Sequence, residues 1–194
     1  MSITETPDHL RKPMRADARR NYDKLLEVSR AAFAEGGSDV SLEEIARRAE
    51  VGIGTLYRHF PTRQALLEAV YVDEVEALGR SASELADLPP WEALSSWLRR
   101  YVSYAVTKHA LAAELAASVG AETTVFQLCK GAIFAAGEPL LQRAQDAGVV
   151  RLDTSFTDIA RMVFGIAAIP ASEPEQIQRI LDVALDGLRY QPSR

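Results

Sequence analysis

The stretch Ser41 to Arg63, SLEEIARRAEVGIGTLYRHFPTR, constrains this chain more than any other. Leu42, Ile45, Ala46 and Ala49 recur at helical spacing and make one apolar stripe. Ser41 stands where a cap belongs and Glu44 follows three residues later, the pattern of a capping box. Gly52 and Gly54 break the pattern just beyond. A second short helix follows, with Leu56 and Phe60 four apart as its buried pair and Thr55, Tyr57, Arg58 and His59 on its other face. Pro61 ends it, because proline cannot continue a helix and turns its predecessor away from helical backbone.

Two helices joined at a steep angle by a short glycine-containing turn form a helix-turn-helix. In the DNA-binding form, the second helix enters the major groove and presents polar side chains near its start. Thr55, Tyr57, Arg58 and His59 supply hydrogen-bonding groups there. Arg63 opens the next helix, where a cation and free backbone N–H groups together can hold a phosphate. A helical hairpin inside an ordinary bundle fits the same polarity, so the pattern alone leaves both readings open.

The wording of the segment goes further. GTLYRHFPTRQALLEAV resembles the recognition helix and following helix of the TetR family of bacterial transcriptional regulators, and the resemblance runs from about Arg19 to about Val72. It implies an all-α homodimer of about nine helices per subunit. Each subunit would have an N-terminal three-helix helix-turn-helix domain and a C-terminal helical ligand-binding and dimerisation bundle. The layout expected is a flexible basic arm over residues 1–15, a DNA-binding domain over 16–63 that includes the start of the fourth helix, and a sensing and dimerisation domain over 64–194. The DNA-facing set is Arg15 and Arg19 near the start of the first helix; Ser41, Leu42 and Glu43; Gly52, Ile53, Gly54, Thr55, Tyr57, Arg58 and His59; and Arg63.

Three residues depart from the commonest wording of that family. Glu50 stands where glycine is usual, so a non-glycine residue has to accept an awkward backbone angle. Gly52 replaces a serine-like cap. Ile53 replaces a residue that is often polar and reaches DNA, and an apolar contact to a thymine methyl group is open to it.

The net charge of −5 runs against DNA binding until it is divided. Residues 1–65 carry 11 Lys/Arg against 10 Asp/Glu, a balance of +1, which leaves −6 for the remainder. Phosphate binding needs a local positive surface rather than a positive total. With 47% hydrophobic residues the chain has material for a core. No run approaches the length needed to cross a bilayer, and the opening MSITETPDHLRKPMR lacks an apolar signal-peptide stretch, so a cytoplasmic protein is expected. The single cysteine, Cys129, excludes an internal disulfide.

Along the rest of the chain, a first helix is predicted over Ala16–Glu35, ended by Gly36 and Gly37. The fourth is capped by Thr62 and runs to about Leu85, before the break at Asp87-Leu88-Pro89-Pro90. Separate helices are predicted over Trp91–Lys108 and Leu111–Ser118, then one over Glu122–Asp146 that Gly137 and Pro139 can bend. The last two cover Thr154–Ile169 and Pro174–Arg189, and the apolar residues of the second exceed one stripe, which calls for a second covering surface. In TetR-like proteins a symmetry mate covers it, and the interface expected on that basis comprises Phe156, Ile159, Val163, Ile177, Ile180, Leu181, Ala184 and Leu188.

Catalytic signatures are missing from the sequence. His9, His59 and His109 are scattered and share no metal-ligand spacing, and no nucleophile elbow, P-loop or dinucleotide fingerprint occurs. No cofactor and no enzymatic activity are expected. An apolar pocket between helices is expected instead, with Trp97, Tyr101, Tyr104, Phe126, Cys129, Phe134, Met162 and Phe164 as candidate lining. Together with the resemblance, these features imply a transcriptional regulator, expected to be a repressor that binds a palindromic operator as a homodimer and is released by a small lipophilic or aromatic effector. The alternative is a small-molecule-binding or protein-interaction module whose helix-turn-helix does not read DNA.

Overall fold

The computed structural model describes residues 16–36, 40–119, 124–169 and 174–189, with positions 34, 36, 109–119, 124–126 and 174 given by backbone alone. The described residues form eight helices: α1 (Ala16–Gly36), α2 (Leu42–Arg48), α3 (Ile53–His59), α4 (Arg63–Glu84), α5 (Pro90–Val119), α6 (Thr124–Asp146), α7 (Phe156–Ala167) and α8 (Pro174–Leu188). They contain no β-strand; Val150 and Arg189 make an isolated antiparallel bridge. Eight helices rather than about nine follow from α5, which runs unbroken through the two segments expected to be separate. Between them stand only His109 and Ala110, neither a helix breaker, and the alanine-rich continuation favours helix.

The chain divides into two compact units, Met1–Asp73 with Ala110–Phe126, and Glu74–His109 with Gln127–Arg194. The boundaries fall within α4, α5 and α6. The first unit's core gathers Leu25, Phe33, Ile45, Leu56, Leu66 and Leu67 around α2 and α3. A guanidinium–carboxylate pair, Arg30 on α1 with Asp73 on α4, fastens two of its helices.

The second unit is built on a buried aromatic cluster. Trp97 and Tyr101 pack at 5.2 Å between ring centroids, and Phe156 lies 5.9 Å from Trp97 and 5.0 Å from Phe134. Trp97 Nε1 donates to the Leu78 carbonyl at 3.0 Å, satisfying its one polar atom. Gly137 lets Phe156 approach the backbone of α6: a Cβ there would lie 2.3 Å from two Phe156 ring carbons and 2.7 Å from Trp97. Its role is close approach. Arg143 donates to the carbonyls of Ala86 and Leu88 and so ties down the turn between α4 and α5.

The caps divide unevenly between expectation and outcome. Ser41 Oγ accepts from Glu44 N at 3.1 Å, and Thr62 Oγ1 accepts from Ala65 N at 3.1 Å, both as expected. The carboxylate of Glu44 does not return to Ser41, because Arg47 and Arg48 take it at 2.7 and 2.8 Å. The complete capping box lies at Ser155 and Asp158, where each side chain accepts from the other's backbone N–H.

The interface expected from α7 and α8 needs correction. Phe156, Ile159, Val163, Ile177, Leu181 and Leu188 are buried within a single chain, so they are not surface that a second copy can cover. The stripe that packs α7 and α8 into their own unit occupies those positions. Ile180 and Ala184 are half-buried, and the outward apolar residues are Phe164 and Val183.

Candidate nucleic-acid interface

The turn between α2 and α3 is made by backbone hydrogen bonds. Glu50 N donates to Arg47 O at 3.1 Å and Val51 N to Ala46 O at 3.0 Å, the paired bonds of a Schellman ending. That ending places Glu50 at φ 52°, in the left-handed region where glycine is easier. Lys24 Nζ on α1 holds the Glu50 carboxylate at 2.7 Å and draws its pKa down by that hydrogen bond. Sequence reasoning found the strained position but missed Lys24, because nothing local ties position 50 to α1.

Gly52 caps α3 with extended backbone (φ −61°, ψ 138°) and no side-chain bond. Leu56 is the only buried residue within the seven of α3, and Phe60 is buried as its C-cap. Ile53 is 39% exposed and Tyr57 44% exposed. Gly54 and Arg58 are also exposed, and Thr55 is half-buried. Arg58 is steadied by weak contacts along its own helix, to Gly54 O and Thr55 Oγ1, both at 3.3 Å.

His59 departs from this outward set. Its half-buried ring meets Tyr22 edge-on at 5.9 Å and lies 6.2 Å from Phe60. Burial first, and the Arg58 charge second, push its pKa below the ordinary 6.5, so the neutral ring prevails at pH 7.

Arg63 departs too. It donates to the Val40 carbonyl, and its guanidinium stands over the Phe33 ring at 5.1 Å. The cation is half-buried and engaged in fastening the start of α4 to the segment before α2. Leu42 is buried in the core. Ser41 and Glu43 are exposed, with Ser41 Oγ spent on its cap. Arg19 is exposed and paired with Asp23 at 3.3 Å, and Arg15 lies outside the described residues. Glu44 is held at a pKa of about 2 by hydrogen bonds from Arg47 and then Arg48.

Residues 89–190 match the C-terminal domain of SbtR-like transcriptional regulators, and residues 25–70 match the bacterial regulatory proteins of the tetR family. The chain belongs to the TetR family of transcriptional regulators. Its fold is similar to a TetR transcriptional regulator from Streptomyces coelicolor, at 44% identity and TM-score 0.76, covering 87% of this chain and 98% of that one. A TetR transcription regulatory protein from Mycobacterium vanbaalenii is similar at 37% identity and TM-score 0.71, covering 92% and 100%. Among curated relatives, the Transposon Tn10 TetC protein of Escherichia coli is 32% identical over 87 residues, 44% of each chain. The chain thus matches under half the length of such curated relatives.

In this TetR-family chain the expected ligand-lining residues differ in burial. Trp97, Tyr101, Tyr104 and Cys129 are buried, and Trp97 and Tyr101 pack into the aromatic core together with Phe156. Phe134 and Met162 are half-buried, Phe164 is 36% exposed, and the Phe126 side chain lies outside the described residues. Burial pushes the Cys129 thiol up to about 11, against the pull of nearby Lys108. The Lys108 ammonium stands 5.2 Å over the Phe164 ring, a partner for that aromatic that the sequence did not disclose. Among the described residues no three His, Cys, Asp or Glu side chains group as a metal site, and no helix is long and apolar enough to cross a membrane.

Proposed function

We propose that this TetR-family chain is a cytoplasmic homodimeric repressor that reads a palindromic operator with α3 and is released by a small lipophilic or aromatic effector. The observation that carries the reading is the outward face of α3. A seven-residue helix anchored by Leu56 leaves Ile53, Gly54, Tyr57 and Arg58 exposed to a partner. The major groove accepts a helix of that width, and hydrogen-bonding side chains at its start read base edges.

The dimer face follows from what α7 and α8 leave uncovered. Val183, 75% exposed, shares α8 with the half-buried Ile180 and Ala184, and Phe164 is 36% exposed on α7. Gly165 and Gly187 add open backbone with no heavy atom within 4 Å of a notional Cβ. Reading both half-sites at once requires the two α3 helices of the dimer to stand one DNA turn apart, about 34–36 Å or a multiple of it. The effector is assigned to the second unit, near Phe134, Met162 and Phe164. It acts through α4, whose residues belong to both units, and only to the extent that its affinity differs between the two arrangements.

The deciding experiment is a gel shift with the DNA flanking the chain's own gene, run with and without Arg58→Ala. A salt-dependent shift lost in the variant supports the reading. No shift with any flanking fragment, from a well-folded dimer, returns the chain to the class of modules that bind small molecules or proteins. Light scattering on Val183→Arg tests the dimer face; a variant that stays dimeric moves the interface elsewhere.

A further inference from the structure

Two features of α3 are unexplained by the fold. Gly52 has an extended backbone that any residue adopts, and a serine in its place would add a cap bond. Gly54 lies inside the helix, where glycine is less favourable than alanine. Neither has the positive φ that favours glycine. A Cβ at either position would meet no heavy atom within 4 Å. The protein interior therefore asks for glycine at neither place. Between them stands Ile53, a branched apolar side chain held 39% exposed where a polar residue would be cheaper to hydrate.

A bare backbone on both sides of a protruding isoleucine is a shape suited to an outside partner that comes close and is apolar at one point. The exposed residues that follow, Tyr57 and Arg58, both carry hydrogen-bonding groups. The base edges of the major groove offer hydrogen-bonding groups together with one apolar feature, the 5-methyl group of thymine. We propose that Ile53 reads a thymine methyl in each operator half-site, and that Gly52 and Gly54 are bare so that the DNA can approach it. The inference rests on the DNA-reading role of α3 proposed above.

The test begins by selecting bound sequences from random duplex DNA with the full-length protein. Each thymine of the selected site is then replaced by uracil, which removes only the methyl group. At one thymine per half-site, uracil is expected to weaken binding roughly three- to fivefold, the scale of one methyl-sized apolar contact. Ile53→Ala is expected to bind the thymine and uracil duplexes equally. As its side chain is exposed, its melting temperature should stay unchanged. Gly54→Ala is expected to keep or raise the melting temperature while weakening binding to every sequence. The thymine proposal is overturned if no thymine is sensitive to its methyl group, or if Ile53→Ala still discriminates. Full affinity in Gly54→Ala overturns the role given to the bare backbone. If selection enriches no sequence at all, the DNA-reading role falls, and the inference with it.

Discussion

Tyr57 on α3 is 44% exposed, whereas Tyr101 on α5 is 1% exposed and enclosed by Trp97, Tyr104, Phe156 and Phe164. Both are tyrosines on helical faces, and the difference lies in how many sides of the helix the fold covers. A seven-residue helix with one buried side chain keeps most of its circumference for a partner. A thirty-residue helix crossed by several neighbours spends its aromatic residues on packing. The same residue type thus stays at the surface in the first unit and builds the core in the second.

Paired substitutions put the largest strain on that contrast. Tyr101→Ala is expected to cost about 3–5 kcal/mol in chemical denaturation, the range for emptying a large buried aromatic site. Tyr57→Ala should stay within about 0.5 kcal/mol of wild type and lose DNA affinity instead. A Tyr101→Ala variant of unchanged stability that answers the effector differently would restore the pocket reading of the cluster. Gly137→Ala comes next. A methyl group there meets the Phe156 and Trp97 rings, so overpacking should cost about 1–3 kcal/mol in the same measurement.

Arg63→Ala sharpens the comparison from within the first unit. Loss of the Val40 hydrogen bond and the Phe33 stacking should lower stability by about 1–2 kcal/mol. The dependence of DNA affinity on salt should change little. A slope lowered by about one with stability intact would make Arg63 a phosphate ligand after all.

The smallest effect concerns His59. Its folded pKa lies below the ordinary 6.5, so below that pH the unfolded chain takes up the proton more readily. The contribution to stability is complete above pH 6.5 and is lost as pH falls through the lower folded value. Denaturation midpoints at pH 7.5 and 5.5 should therefore fall further for the wild type than for His59→Gln. Equal losses would mean that the ring is free of Tyr22 and Phe60 in solution.

What could be read from sequence was local. Ser41 and Thr62 cap helices because a cap needs only its own neighbours, and Leu56 with Phe60 is legible as an i, i+4 pair. The strain at Glu50 was legible because the position one past a helix end has a known backbone demand. Most of what failed depended on distant parts of the chain. Arg63 found a carbonyl 23 residues away, whereas the Glu44 carboxylate was lost locally, to arginines three and four residues on. The six interface candidates buried in α7 and α8 were apolar for reasons internal to one subunit. Periodicity finds the stripe of such a helix but does not say which side of it meets a second molecule.

The Phe156 ring seated on Gly137 has a mechanical consequence. The Phe156 ring carbons lie where a Cβ at position 137 would stand, so the notch at Gly137 is the place that receives the ring. Longitudinal slippage of α7 along α6 would have to eject the ring first. The seated ring thus sets the register of α7 along α6.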